Sequence, residues 1–504
     1  VSTVAQLQSA VNGASAGTTI VVQDGVYNLD GVYLRIAAPN ITLRSASGNP
    51  QSVVLDGNYV TTEIVQVVAS NVTVAELTLR EAYYHPIHVS STANSHTLNT
   101  KIYRVRVIDG AEQQIKINPG GAGFYADNGT VACSHIELTD AGRPHVRNNC
   151  YTGGVDAHQA RGWTIRDNWI GGFWCSDGLS EHGIHFWTGS RDTTIERNTL
   201  VNNARGIGCG LLESGSGRTY GDNPCPTASG YVDHYGAMVR NNFVFVNSAA
   251  LFASQFGFDC GICIWQTCGA QVLHNTVYST QAPFSSIEWR FGNTVVDVRN
   301  NLVSHNLRDR GGTDTQAGNL QSAPAAMFRN VASGDLRLKH GATAAIDQGA
   351  PVSGGLANDD IDGDTRPIGA ARDIGADEFI GASIPKNVTT PTVVAGAASD
   401  EGGDVAHSGD DDQGLDVDVP VSAQADTDTD PSRGTGAESS PGDEAPPPAA
   451  VDSADPSEPE VPSGVPAAAA TATVTIIVAA PVTEAASVVD RSPATGVTAS
   501  ETEP

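Results

Sequence analysis

The segment Gly183-Ile184-His185-Phe186-Trp187 recurs along this 504-residue chain. Other copies are Pro86-Ile87-His88-Val89-Ser90, Gln114-Ile115-Lys116-Ile117-Asn118, Gly154-Val155-Asp156-Ala157-His158 and Gly206-Ile207-Gly208-Cys209-Gly210. Two more are Gly261-Ile262-Cys263-Ile264-Trp265 and Ser286-Ile287-Glu288-Trp289-Arg290. Most copies open on a glycine; an aliphatic residue and strict alternation follow. Successive side chains of a strand point to opposite faces. Ile87, Ile115, Val155, Ile184, Ile207, Ile262 and Ile287 therefore share one face. His88, Lys116, Asp156, His185, Gly208, Cys263 and Glu288 share the other.

A second element returns between these strands. It reads Thr164-Ile165-Arg166-Asp167-Asn168, Thr194-Ile195-Glu196-Arg197-Asn198, Met238-Val239-Arg240-Asn241, Val272-Leu273-His274-Asn275 and Val296-Asp297-Val298-Arg299-Asn300. Each is an apolar strand ending in Asn, which tolerates the left-handed backbone of a tight turn. Asparagines stacked coil on coil form hydrogen-bonded ladders. Successive aliphatic anchors stand 28, 40, 29, 23, 55 and 25 residues apart. The short intervals fit one coil of a solenoid, and the long ones fit coils carrying loops. The 55-residue interval holds a Gly/Pro/Ser-rich excursion from Glu213 to Tyr235.

The fold expected is therefore all-β, a right-handed parallel β-helix. Two-residue hairpin turns are not the pattern, and no long helical periodicity follows Ala14. Val4, Leu7, Ala10 and Val11 do keep helical spacing. They predict a short N-terminal helical cap over the first coil, because a solenoid must cover its open end. The expected division is coils with their cap over residues 1–338, a closing segment over 339–380 and a tail over 381–504.

The net charge of −28 is unevenly spread. From Gly381 onward there are 22 acidic and 3 basic residues, a charge of −19, which leaves −9 for the body. That tail is rich in Ala, Pro, Ser, Thr and Asp and is expected to be disordered. Its one apolar run, Ala470 to Val482, is too short to span a bilayer. The acidic body has no Lys/Arg-rich run, so nucleic acid is not an expected partner.

All eight cysteines lie between Cys133 and Cys268. The even count predicts disulfides and an oxidising setting, hence a secreted or cell-surface protein. Cys209 with Cys225 would close the long excursion, and Cys133 with Cys150 is a second expected pair. Asp360, Asp362 and Asp364 form an oxygen-rich turn around Gly363, the one stretch suited to Ca2+. This turn, with Arg366 and Asp373 to Phe379, resembles the closing segment of many bacterial surface β-helix proteins.

Stacking the coils puts neighbouring strands ~4.8 Å apart. Lys116, Asp156, His158 and His185 then fall on three consecutive rungs, in a chain where positive charge is scarce. They are the catalytic candidates. His88, Asn118, Trp187, Trp265, Glu288 and Arg290 share the same face and are candidates for substrate binding. Flat aromatics and ionisable groups in one groove suit a chain of sugars, with Gly208 and Gly210 expected to leave its middle open.

Glycoside hydrolysis needs two carboxylates about 5–9.5 Å apart. Asp156 and Glu288 are four rungs apart, roughly 19 Å, and cannot be that pair; Glu181, in the turn before the His185 strand, could approach Asp156 instead. A cation and a base suit another reaction. A uronic acid has an acidic C5–H beside its carboxylate. Lys116 or a histidine would neutralise the carboxylate, and His158 or His185 would remove the proton.

Gly153-Gly154-Val155-Asp156-Ala157-His158, followed by Trp163 to Asp167, resembles the mannuronan C5-epimerases. Their motif is Tyr-Gly-x-Asp-Pro-His, with a lysine one coil earlier, where this chain has Lys116. Gly153 stands in place of the Tyr and Ala157 in place of the Pro; Tyr151 lies close by. The opening from Val4 through Tyr27 is similar to that of β-helix alginate and chondroitin lyases. These resemblances imply a polysaccharide-acting enzyme. The function expected is β-elimination on an acidic polysaccharide by a secreted monomer. A uronan C5-epimerase and a non-catalytic surface adhesin are the alternatives.

Overall fold

The computed structural model describes residues 1–381. The tail expected to be disordered lies outside the described residues from residue 382 onward. The described chain winds through three long sheets of 13, 10 and 10 strands. One coil shows the path. Thr164–Arg166 lies in the first sheet, Trp169–Gly171 in the second and Ile184–Trp187 in the third. Thr194–Glu196 then returns to the first sheet and pairs in parallel with Thr164–Arg166. The fold is a parallel β-helix. Among the described residues no helix is long and apolar enough to cross a membrane.

The third sheet is the recurring segment. Ile87 pairs with Ile115, Ile115 with Val155, Val155 with Ile184, and Ile184 with Ile207. Ile207 pairs with Ile262 and Ile262 with Ile287. All seven are fully buried. The outward column follows from the same register: His88, Lys116, Asp156, His185, Gly208, Cys263 and Glu288. Helix Val4–Asn12 buries Leu7 and Val11 at the first coil, and its N-cap Thr3 accepts from the Gln6 amide.

An asparagine ladder does run along the corner between the first and second sheets, shifted by one residue at two coils. Its rungs are Asn168, Asn198, Asn242, Asn275, Asn301 and Asn319, each side chain bonded to the next. The left-handed position is the residue before: Asp167, Arg197, Asn241, His274 and Asn300, with φ between 50° and 58°. Asn241 and Asn300 thus turn the chain, and Asn242 and Asn301 bridge it.

The parallel coils end at Ala317, earlier than expected. Phe328–Asn330 and Asp335–Leu338 pair antiparallel, so the expected boundary at 338 falls after this hairpin. The hairpin and the segment to Phe379 pack on the outward side chains Phe243, Phe245 and Tyr278 of the second sheet. Arg366 and Glu378, both fully buried, pair at 2.8 Å beneath them.

The disulfides differ from expectation. Cys150 bonds Cys175, Cys225 bonds Cys268 and Cys260 bonds Cys263. Cys133 occupies a left-handed corner with φ 53° and is exposed, remote from the loop that carries Cys150. Cys209 ends the strand Arg205–Cys209 two residues after Ile207, so alternation turns it inward. The long excursion is instead tied by Cys225 to the next coil.

Two tests follow. Ile184→Ala should cost about 2–5 kcal/mol, from lost transfer energy and the cavity left behind; equilibrium denaturation measures this, and a loss below 1 kcal/mol contradicts the packing. Thiol titration should find one reactive cysteine in the native protein, Cys133, and a second, Cys209, only after unfolding. Burial pushes the Cys209 thiol up to about 12.

Candidate active site

The third sheet's outward face does not lie open. The loop of residues 139–154 precedes the Asp156 strand, and the loop of residues 172–183 precedes the His185 strand. Cys150–Cys175 staples these two loops together. Between them they bury most of the outward column.

Lys116 sits at the centre. Its Nζ donates to Asp156 Oδ2 at 2.6 Å and to the Tyr151 hydroxyl at 3.1 Å, and lies 3.1 Å from His158 Nε2. Burial disfavours its charge, but Asp156 and Tyr151 outweigh burial and hold the ammonium above its ordinary range. Asp156 is 1% exposed and engaged through both oxygens. Oδ1 accepts from Trp187 Nε1 at 3.0 Å and lies 3.4 Å from His185 Nδ1. Oδ2 takes Lys116 and stands 3.2 Å from His158 Nε2. Burial works against the carboxylate, yet Lys116 and His158 hold it well below its ordinary 3.8.

His158 and Tyr151 are the members of this cluster that reach its surface; the His158 side chain is 16% exposed. Burial and then the Lys116 charge keep His158 below its ordinary 6.5, so it is neutral at neutral pH. Burial pushes the Tyr151 hydroxyl up to about 12 against the pull of Lys116, so it keeps its proton. One rung earlier, His88 lies 2.6 Å from Glu63 Oε1 through Nδ1 and 2.6 Å from Asn118 Oδ1 through Nε2. Burial opposes its charge, but Glu63 and Asn118 outweigh it and raise the imidazole above 6.5. Both ring nitrogens face oxygen atoms, as those of a doubly protonated imidazole would, one rung from Lys116.

Several expected roles fail on burial. His185 has no exposed surface, because Glu181 lies 3.1 Å from its Nδ1 and the His182 ring covers it at 4.3 Å. It cannot touch a substrate. Trp187 stacks on His185 at 5.3 Å and spends its N–H on Asp156, so it orients the carboxylate and offers no sugar platform. Trp265 and Glu288 are likewise buried, joined by a 2.6 Å hydrogen bond. Glu288 also takes Ser285 and Arg310 at 2.5 and 3.0 Å. The space above Gly208 is filled by the His182 ring. Gly210 is a turn residue with φ 76°. Arg290 stays half-buried on the Glu288 rung, stacked over Phe291.

Far from this face, the acidic turn is held by protein partners. Asp360 accepts from the amides of Asp362, Asp364 and Glu378, and Asp362 pairs with Arg337 at 2.5 Å. Residues the sequence reading passed over are Glu63 and His182. Glu63 lies on the strand that pairs with the His88 strand, in register with His85, and its side chain reaches diagonally to His88. His182 precedes the strand and carries no periodic signal.

No protein-family model matches the sequence, and no curated protein matches it. Solved structures similar to it include the pectate lyase Pel9A, with a TM-score of 0.46 and 16% identity over 73% of this chain and 90% of that one. An alginate lyase from Paenibacillus sp. str. FPU-7 has a TM-score of 0.40 and 16% identity, over 64% and 97%. PfbA, a surface adhesin of Streptococcus pneumoniae, has 0.34 and 12%, over 64% and 86%.

The geometry carries a stability prediction. Lys116→Ala removes the closest cation from the buried Asp156 carboxylate, leaving Trp187 and two imidazoles to hold it, and should cost up to about 3–5 kcal/mol. Since folding lowers the Asp156 pKa, the ion pair's contribution is present above pH 3.8 and lost as pH falls further. Denaturant titrations of Lys116→Ala and of the double variant Lys116→Met/Asp156→Leu test this. The double variant should regain most of the loss; if both are equally weak, the pair is not the cause.

Proposed function

We propose that this protein is a polysaccharide lyase that cleaves a uronic-acid polymer by β-elimination at the Lys116–Asp156–His158–Tyr151 cluster. The observation that carries this reading is the placement of a neutral imidazole and a protonated phenol at the surface, both 3.1 Å from one buried ammonium. Those are the base and acid that elimination needs. With its Nε2 proton directed to Asp156, His158 presents the Nδ1 lone pair to the C5 proton. Asp156 then stabilises the imidazolium formed. The C4–O bond breaks as the C4–C5 double bond forms, and the Tyr151 hydroxyl gives its proton to the departing oxygen. Lys116 stabilises the resulting phenolate. After product leaves, the imidazolium loses its Nδ1 proton to solvent and the phenolate regains one from solvent, since both groups reach the surface. His88, one rung before Lys116, and Asn118, on the Lys116 strand, suit the substrate carboxylate, whose neutralisation lowers the cost of the enolate-like intermediate. Arg290 lies five rungs on from Lys116 and suits a distal uronate. Three disulfides support an extracellular setting.

The same two groups support a second reading. If Tyr151 protonates C5 from the opposite face, and the C4–O bond stays intact, the reaction is C5 epimerisation. Incubation with a panel of uronic-acid polysaccharides separates the outcomes. Rising ultraviolet absorbance from new C4–C5 double bonds supports the lyase. A changed sugar composition without absorbance supports the epimerase. Binding with neither supports an adhesin.

On a confirmed substrate, His158→Ala and Tyr151→Phe should each lower kcat by about 10²–10⁴-fold. The acid limb of kcat/KM should fall below pH 6.5, because His158 must be neutral and its pKa is held under that value. Full turnover in the His158 variant sinks the assignment.

A further inference from the structure

We propose that Glu181, His182 and His185 bind a divalent transition-metal ion of the zinc class, behind the Asp156 carboxylate. Each offers one ligand atom, and the three lie within 4.8 Å of one another. Glu181 Oε2 stands 3.1 Å from His185 Nδ1 and 4.0 Å from His182 Nδ1. Tetrahedral zinc with bonds of ~2.0–2.1 Å sets its ligand atoms roughly 3.3 Å apart, so a small closure completes the set.

The second observation is unmet hydrogen bonding. His182 is fully buried, and neither ring nitrogen has a partner. Glu181 Oε2 and His185 Nδ1 also lack a directed hydrogen bond despite their 3.1 Å approach. Four of the thirteen such buried atoms among the described residues thus belong to these three residues. Buried polar atoms are almost always paired, and a cluster of exceptions calls for a cause. A proton shared by His185 and Glu181 satisfies those two residues and does nothing for His182. A metal ion satisfies all three.

The donor set selects the ion. Two imidazoles and one carboxylate suit zinc and its neighbours, whereas Ca2+ takes six to eight oxygens. Binding must displace the proton that Asp156 and Glu181 favour on His185, and it is opposed by Arg205, which Asp259 holds at 2.7 Å. Bound metal would tie the loop of residues 172–183 to the His185 strand and fix the ring on which Trp187 stacks. This role is independent of the proposed reaction.

The test uses the untagged full chain after chelator treatment. Calorimetric titration with Zn2+ should show one site per chain and a raised melting temperature, and excess Ca2+ should not compete. Glu181→Gln and His182→Ala should each weaken Zn2+ binding beyond the ~10–100-fold that losing an outer-shell partner costs. Glu181→Gln keeps the side chain's shape and guards against loss of fold, which circular dichroism checks. Absence of stoichiometric Zn2+ binding overturns the proposal. So does unchanged affinity in a folded Glu181→Gln protein, which would place the ion elsewhere.

Discussion

Parallel pairing in register is the constraint on which everything else rests. Each coil adds one rung to each sheet, and a one-residue slip would turn the buried aliphatics to solvent. Burying Ile115, Val155 and Ile184 therefore commits Lys116, Asp156 and His185 to the other face. Lys116 and Asp156 are 40 residues apart in sequence and 2.6 Å apart in space for that reason. Insertions do not disturb the register because they enter at corners between sheets. Ile207 stacks on Ile262 across the longest interval of all.

Loop burial then gives the outward face its chemistry. An ion pair on an open solenoid face is worth little. Under the stapled loops the surroundings are less polarisable, and the same charges dominate their neighbours. Lys116 keeps its proton, Asp156 loses its own, and His158 is denied one. The staple matters to this arrangement because Tyr151 directly follows Cys150. A bond from Cys150 to the next loop positions the phenol over Lys116.

The sequence disclosed what alternation controls. The seven anchors, the outward column and the meeting of Lys116, Asp156 and His158 all follow from strand period. The limit appears where paired asparagines leave the corner ambiguous: Asn241-Asn242 and Asn300-Asn301 each offer two candidates for one ladder rung. Loops were opaque for a different reason. Nothing periodic in residues 139–154 or 172–183 says that they fold back over the sheet. Trp187, Trp265 and Glu288 therefore read as exposed binding groups and proved to be buried. Cys209 is the exception among the misreadings, since alternation from Ile207 already turned it inward. The closing segment was legible as a unit, but its resting place was not. It covers Phe243, Phe245 and Tyr278, outward aromatics whose need for cover is visible only once the second sheet is built.

The saturation of its carboxylates bears on what this face can do. A glycosidase needs one carboxyl group that reaches the glycosidic oxygen with a proton and a second that attacks or activates water. Asp156 has both oxygens engaged, is almost inaccessible and is held ionised. Glu288 takes three donors and has no exposed surface. Glu63 is committed to His88 one rung before Lys116. Asp156 and Glu63 serve as counter-ions to an ammonium and to imidazoles, and Glu288 holds an indole N–H, a hydroxyl and the Arg310 guanidinium. His158 and Tyr151 bring a neutral base and a weak acid to the surface, beside the partly exposed carboxylates Glu63 and Glu181. On the proposed reading, these groups move protons about an acidic carbon of a substrate that brings its own negative charge.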